Sequence, residues 1–334
     1  MDDLSGKTKT SRPHLIKRLG PWLLGLVIII ALLMVGDISQ LKDLLYSDVR
    51  FLFLALLCTA LHIWLTGQRW RLILETIHPF RDYPKGFFMR AVLTGLIGGL
   101  IATQDVGLAA SRWIMLRRHT PISSQDVVFS ITIDRLLDVL LNVVLGFISV
   151  FYLVGSLTLE QTTFWFMIAG LVLLGMACLP ERINLVSILI MLYRRMFILV
   201  GRIPFVSRRF NFNQEIVLYH LPSSKLVLIV AQTLIRFLLL ALRYYLLSLA
   251  FHFSAPFLLF LAATPLSLLS LVIGFFPGGF GLADVSLYAI LISTGMMTAS
   301  QTTNFVVGSR AFNILSLGIL GLVERLWAKG NQGK

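Results

Sequence analysis

Charged side chains inside apolar sequence are the residues of this chain best suited to chemistry. Asp134 and Asp138 stand four residues apart in a long apolar run, which places both on one face of a helix, while Arg135 is rotated from Asp134 by about 100°. Ionisable groups at membrane depth are costly and usually face a cavity or an opposite charge. The three side chains either line a site for a lipid headgroup or stay hydrated where their helix enters the membrane at the cytoplasmic interface.

Two arginines in another apolar run point to anion binding. Arg236 and Arg243 are seven residues apart, and therefore lie on nearly one helical face, two turns from each other. A guanidinium stays charged and offers a planar fork of donors that fits a phosphate group. The alternative role is structural, with the arginines paired to the acidic residues Asp134, Asp138 or Asp284.

A break in apolar sequence supplies a third candidate element. Residues 274–290 would pass for one membrane helix but contain Pro277, Gly278, Gly279 and Gly281, followed at once by Asp284. Proline removes a backbone donor and glycine accepts dihedral angles that other residues resist. A broken segment at membrane depth is tolerated only where protein or a water-filled cavity covers it. The break is therefore a candidate binding site.

An earlier segment resembles this break. Residues 87–102 are short and rich in glycine, and the sequence after them carries Asp105 and then Arg112, Arg117 and Arg118. The positive-inside rule returns the chain to the cytoplasm here, which a re-entrant hairpin or a short closely packed span would satisfy. Residues 103–109 align with 277–283 and share Gly-Leu-Ala. Paired interruptions are typical of an internally repeated transporter with its substrate between the two breaks.

Composition sets the class of protein. The 334 residues are 57% hydrophobic and 13% charged, with a mean hydropathy of +0.84, and several apolar runs are long enough to span a bilayer. We predict an all-α polytopic membrane protein of about six to eight membrane helices, with two re-entrant or interrupted segments and an internal repeat. The net charge of +13 is assigned to short loops rather than to nucleic-acid binding. Two cysteines within apolar runs predict neither a disulfide framework nor a metal cluster, and no cofactor is expected.

The distribution of basic residues predicts the topology. Residues 1–19 form a basic cytoplasmic segment, residues 20–327 a single transmembrane domain with a basic cytoplasmic loop at 181–222, and residues 328–334 a cytoplasmic tail. The first span, 21–35, is an uncleaved helix, and residues 38–48 are an interfacial helix or a loop. The second span, 51–66, is predicted to end at a cytoplasmic interface marked by Arg69, Trp70 and Arg71. Both termini are expected on the cytoplasmic side of a bacterial inner membrane.

These motifs together resemble a known family. The run 277–284, the segment 107–112 with Arg117 downstream, and the helix that carries Asp134 and Asp138 are similar to the transmembrane flippase region of lysylphosphatidylglycerol synthases and their stand-alone relatives. The resemblance extends over about residues 51–326. It implies movement of a lipid, charged or glycosylated at its head, between leaflets.

The chain departs from the family pattern at three positions. Thr103 stands where the family usually has proline, and Ala283 and Asp284 stand where it has arginine and glutamate. These changes bear on the substrate more than on the fold. The synthases carry a soluble aminoacyl-transferring domain after the membrane region, which is not expected here. The sequence also contains no phosphate-binding glycine loop with Lys-Ser or Lys-Thr and no His-Glu-x-x-His motif.

The resulting hypothesis is a lipid flippase without a cofactor, whose partner is a membrane lipid with an anionic headgroup. Arg236, Arg243 and Arg112 would hold phosphate, Asp105 and Asp284 would contact cationic or hydroxyl groups, and movement would be downhill or proton-coupled. The candidate substrate-binding residues are Asp105, Arg112, Asp134, Arg135, Asp138, Arg236, Arg243, Pro277, Gly278, Gly279, Gly281, Asp284 and Arg310. The alternatives are an integral-membrane enzyme acting on a lipid-linked substrate and a non-transporting partner in cell-envelope assembly. A homo-oligomer is left open.

Overall fold

The computed structural model describes residues 46–77, 83, 86–101, 103–119, 122–179, 191, 195, 222–273 and 282–332. Within these residues it contains nine α-helices and no strand. The first five helices are α1 (Val49–Ile77), α2 (Phe87–Ile101), α3 (Gln104–His119), α4 (Ser124–Leu153) and α5 (Leu159–Cys178). The remaining four are α6 (Ser223–Ala250), α7 (Phe257–Ile273), α8 (Leu282–Ser293) and α9 (Ala299–Gln332).

Five of the described helices, α1, α4, α5, α6 and α9, are long and apolar enough to cross a membrane. The prediction of an all-α polytopic membrane protein is therefore confirmed. Local sequence defines where these helices begin: Ser123 accepts a hydrogen bond from the backbone N–H of Asp126 at 3.1 Å, and Thr158 forms a reciprocal capping box with Gln161. The predicted first span, residues 38–45, the break residues Pro277, Gly278, Gly279 and Gly281, and the loop 181–222 apart from residues 191, 195 and 222 lie outside the described residues.

The other four helices form two hairpins. Helices α2 and α3 have 15 and 16 residues, and α7 and α8 have 17 and 12. At 1.5 Å per residue each is about 18–26 Å long, which is less than the roughly 30 Å of a hydrocarbon core. The arms of each pair pack against each other. These lengths of the described helices agree with the predicted re-entrant or interrupted segments.

Glycine allows the arms of the first hairpin to approach closely. A Cβ atom added at Gly107 of α3 would fall against the backbone of Gly95 and Gly99 on α2, whereas one added at Gly98 would meet nothing nearer than 4.0 Å. Ser111 strengthens this contact, because its hydroxyl donates to the backbone carbonyl of Ala91 at 2.7 Å. The two helices are thus held in backbone contact by small residues, as is common within membranes.

We expect Gly107→Ala to destabilise the protein by about 1–3 kcal/mol, because the added methyl group must push the hairpin arms apart. Gly98→Ala is the matched control: the new methyl group has space there, and alanine favours the helix by about 0.5–1 kcal/mol. Thermal unfolding of both variants in detergent measures the difference. Equal melting temperatures for the two variants would show that close approach at Gly107 does not hold the hairpin.

The described helices form two halves that run in opposite directions. Each half is a long helix, a hairpin and a second long helix, namely α1 to α4 and α6 to α9, with α5 between them. Helices α1 and α6 are antiparallel neighbours, since the backbone N–H of Asp48 donates to the carbonyl of Ala250 at 3.0 Å. The order of the elements and the antiparallel packing of α1 and α6 agree with the predicted internal repeat and favour an inverted one.

Contacts between the halves follow the same symmetry. Helix α4 of the first half packs on α7 of the second, and α9 of the second half packs on α2 of the first. An ion pair between Arg90 and Glu324, at 2.5 Å, joins α2 to the end of α9. The open end of the first hairpin lies beside the last turn of α1, and that of the second follows the last turn of α6. Because α1 and α6 are antiparallel, the two hairpins begin at opposite ends of this helix pair.

Candidate functional site

Arg69 is the centre of a buried ionic cluster that joins both halves. Its guanidinium is fully buried and donates to Asp134 through Nε at 2.6 Å and to both carboxylate oxygens of Asp138 at 2.6 and 2.8 Å. It also donates to the hydroxyl of Thr233 at 2.9 Å. One side chain thereby connects α1, α4 and α6. Its five donors match the carboxylate oxygens in a fixed fork, which explains why arginine stands here.

Arg112 brings the first hairpin into this cluster. It is fully buried, its Nη1 donates to Asp134 at 2.7 Å, and its guanidinium carbon lies 4.9 Å from the ring centroid of Trp70. The carboxylate of Asp134 is therefore shared by two arginines, from α1 and α3. A planar cation over an indole face adds a further attraction. This geometry gives Arg112 a role in holding the hairpin against α1 and α4.

Two sequence expectations are corrected here. Residues 69–71 were expected to mark a cytoplasmic interface, but α1 continues through them, and Arg69 and Trp70 are fully buried. Arg71 alone faces outward, where it pairs with Glu75 at 2.6 Å. Clustered basic residues resemble a topology signal, yet helical periodicity separates them onto different faces. Likewise Asp134 is fully buried, so the alternative of a hydrated interfacial carboxylate is wrong.

An aspartate of each hairpin pairs with an arginine of the following long helix. In the first half Asp105 lies 3.0 Å from Arg135, and in the second half Asp284 lies 2.5 Å from Arg310. The first pair is half-exposed, while the Asp284 side chain is only 5% exposed. Each pair connects a hairpin to its long helix on the side that faces the centre of the molecule. The two arginines are equivalent in the repeat, but the two aspartates are not, since residue 105 aligns with Gly279 and residue 284 with Ala110.

An interior cavity of about 170 Å³ lies between the two halves. It is bounded by α1 and α6, by both hairpins, and by α4 and α9. Six of the predicted site residues line it: Asp105, Arg135, Asp138, Arg236, Arg243 and Arg310. Arg112, Asp134 and Asp284 do not, although each pairs with a residue of the cluster or of the lining. The described residues of both hairpins thus contribute to one cavity between the halves, while the break residues 277–281 lie outside the described part of the chain.

Positive charge exceeds negative charge around this cavity. Among the described residues, its lining and the ion pairs that adjoin it contain six arginines (69, 112, 135, 236, 243 and 310) and four aspartates (105, 134, 138 and 284), a net charge of +2 with histidine neutral. Arg236 lies 3.1 Å from Asp138, and the Nε atoms of Arg236 and Arg243 are buried without a hydrogen-bond partner. Within the described residues, no carboxylate lies within ion-pair distance of Arg243. Arg112 of α3 also has buried donors without a partner, but only the two arginines of α6 place such donors in the cavity lining.

A sequence signal that could have identified Arg69 follows from the repeat. Thr59, His62 and Arg69 of α1 are followed 174 positions later by Thr233, Arg236 and Arg243 of α6. The same spacing relates the Gly-Leu-Ala of the two hairpins. Comparison of the long helices at this spacing, rather than of the hairpins alone, would have paired Arg69 with Arg243 and suggested an interior position for both.

The inverted halves, the hairpins and the polar interior define an all-α integral membrane protein with a central charged cavity. Within its described part, no group of three or more His, Cys, Asp or Glu side chains is placed to hold a metal ion. The chain belongs to the family described as the lysylphosphatidylglycerol synthase TM region, whose model matches residues 22–321. The resemblance inferred from the motifs is thereby confirmed, and it relates the chain to membrane proteins of lipid modification and flipping. None of the curated proteins matches the chain.

Proposed function

We propose that this protein is a flippase that moves a phosphate-containing lipid between the two leaflets of the membrane. The observation that carries the proposal is the excess of arginine around the interior cavity. Uncompensated charge in a low-dielectric interior is unfavourable. A phosphate oxyanion would offset it and would fit the donor fork of a guanidinium.

The two inverted halves support transport rather than binding alone. Two oppositely oriented repeats present a site between them to both faces of the membrane in the same way. Rocking of one repeat against the other can therefore open the site to either side. The cavity is lined by residues of both hairpins. Its volume suits a headgroup and excludes acyl chains, which would remain in the surrounding lipid while the headgroup passes.

The lining also contains an acceptor for the remainder of a headgroup. Asp105, at the start of α3, has a side chain that is 46% exposed and is oriented toward Arg135. A carboxylate that is partly open can accept from an ammonium or hydroxyl group next to the phosphate. We therefore assign the phosphate to Arg236 and Arg243 and the polar part of an aminoacylated or glycosylated headgroup to the region of Asp105.

A proteoliposome assay tests this function. Headgroups would be anionic, zwitterionic, aminoacylated and glycosylated, and each lipid would carry a reporter that an impermeant reagent can reach only in the outer leaflet. Purified protein should accelerate exchange of at least one phosphate-containing class over protein-free liposomes. Correctly folded protein that moves none of them would contradict the proposal.

Asp284→Asn should slow that exchange at least tenfold, because Arg310 loses the carboxylate that fixes the second hairpin to α9. Glu160→Gln is the matched control, since Glu160 is exposed in the first turn of α5 and far from the cavity lining. Exchange rates are compared after both variants are shown to elute and melt as folded protein. An unchanged rate in Asp284→Asn would limit Asp284 to packing.

A further inference from the structure

The two halves differ at an acidic position that helps to set the charge of the cavity. Arg69 and Arg243 occupy equivalent positions of α1 and α6, 174 residues apart. The pattern Arg135-x-x-Asp138 on α4 recurs 175 positions later on α9 as Arg310-x-x-Asn313. The second half therefore has a neutral amide where the first half has a carboxylate of nearly the same shape.

This replacement changes the environment of the equivalent arginine. Arg69 donates to both carboxylate oxygens of Asp138, at 2.6 and 2.8 Å. Arg243 reaches only the amide oxygen of Asn313, at 3.4 Å, which is long for an N–H···O hydrogen bond. Its Nε is buried without a partner, and its guanidinium lies 5.2 Å from the ring centroid of Tyr244. Arg243 thus occupies the position equivalent to Arg69 but has no carboxylate partner among the described residues.

A second cation lies beside this position. Arg236 lies on the same face of α6 as Arg243, two turns away from it. It is 8% exposed and lines the same cavity. Its Nη1 shares Asp138 with Arg69 at 3.1 Å, while its Nε is buried and unpaired. Its equivalent in the first half is His62, so here too the second half has the more positive residue. Among the described residues three arginines have a buried Nε without a partner, namely Arg112, Arg236 and Arg243, and of these Arg236 and Arg243 line the cavity.

We propose that a phosphate oxyanion binds the guanidinium of Arg243, as the carboxylate of Asp138 binds that of Arg69, and that Arg236 is the second donor. The uncharged Asn313 leaves this anion position of Arg243 open. The assignment deepens the flippase proposal and rests on it only for the identification of the anion with a lipid headgroup. Asn313 is then a specificity-determining residue. Its amide can also donate an N–H to a phosphate oxygen, which a carboxylate cannot do.

Asn313→Asp tests the assignment, because it supplies the missing carboxylate with almost no change in shape. The new side chain should pair with Arg243 and compete with an external anion. We expect dihexanoylphosphatidylglycerol to bind the purified variant at least tenfold more weakly than wild type, while the melting temperature stays the same or rises. Asn313→Ala removes the amide without adding charge and should weaken binding less than Asn313→Asp does. Glu160→Gln, at an exposed residue of α5 that is not part of the cavity lining, is the matched control and should keep the affinity within about threefold. Isothermal titration calorimetry in detergent gives these affinities.

Inorganic phosphate and dihexanoylglycerol separate the sources of the anion. If the phosphatidylglycerol binds and inorganic phosphate does not, the anion site is specific for a lipid headgroup. If inorganic phosphate binds as well, the site recognises the oxyanion alone. Dihexanoylglycerol has no phosphate and should bind neither wild type nor Asn313→Asp at this site. Equal affinity of Asn313→Asp and wild type for the phosphatidylglycerol, or no binding of either phosphate probe to wild type, would overturn the proposal. If dihexanoylphosphatidylglycerol binds in an Asn313-dependent way but no lipid moves in proteoliposomes, the flippase function is rejected and the anion site is retained.

Discussion

Arg69→Gln is expected to lower the free energy of unfolding by about 3–5 kcal/mol, the largest loss of stability that we predict for a single change in this protein. The variant would leave Asp138 with fewer donors and Asp134 with Arg112 alone, and these carboxylates lie in the interior. Removing one partner of a buried pair exposes the full desolvation cost of the other. Glutamine restores one or two of the lost hydrogen bonds but none of the charge.

Arg71→Gln is the matched control on the same helix. Arg71 is about half exposed and pairs only with Glu75, one turn along α1. Exposed pairs of this kind contribute about 0.3–0.5 kcal/mol. Unfolding in a denaturant series, followed by the fluorescence of buried Trp70, compares the two variants in the same detergent. A loss of stability in Arg69→Gln no greater than in Arg71→Gln would mean that the cluster does not hold α1, α4 and α6 together.

The long helices could be predicted from sequence because a membrane helix is specified by apolar length and by the residues at its ends. The apolar run that carries Asp134 and Asp138 is found as one helix, Ser124–Leu153, with Ser123 as its N-cap. The prediction for α1 was wrong by eleven residues at its end, since Arg69 was taken for an interfacial cation. A composition window cannot distinguish an arginine that faces headgroups from one that faces Asp134 and Asp138, because the distinction depends on which helix lies opposite.

The site could be predicted only in part for the same reason. Charged residues in apolar sequence correctly indicated a polar interior, and six of the thirteen predicted site residues line the cavity. Their division into ion pairs required the three-dimensional arrangement: nothing in the sequence shows that Asp138 is engaged by Arg69 and Arg236 while Arg243 faces an amide. The repeat supplies that information indirectly, since it relates each residue of one half to its equivalent in the other.

Arg243→Gln should impair lipid movement while leaving stability nearly unchanged, in contrast to the large loss of stability expected for Arg69→Gln. Arg243 has no carboxylate partner among the described residues, so its loss removes an uncompensated charge and should change the free energy of unfolding by less than about 1 kcal/mol. A charge-assisted hydrogen bond to phosphate contributes about 1.5–3 kcal/mol, which corresponds to roughly a 10- to 100-fold loss of affinity. Movement of anionic lipid in proteoliposomes should fall accordingly. A large loss of stability with transport retained would assign Arg243 to the scaffold.

A double-mutant cycle connects this prediction to the pseudo-symmetry of the fold. Arg243→Gln removes the cation that binds the phosphate, and Asn313→Asp is expected to occupy that same cation, so both changes abolish one interaction. Once Arg243 is glutamine, the added carboxylate has no guanidinium to neutralise, and the double variant should bind dihexanoylphosphatidylglycerol about as weakly as Arg243→Gln. Changes at independent sites would instead add to within about 0.5 kcal/mol. Additivity would therefore show that Asn313 does not act through Arg243, even if each single change weakens binding as expected.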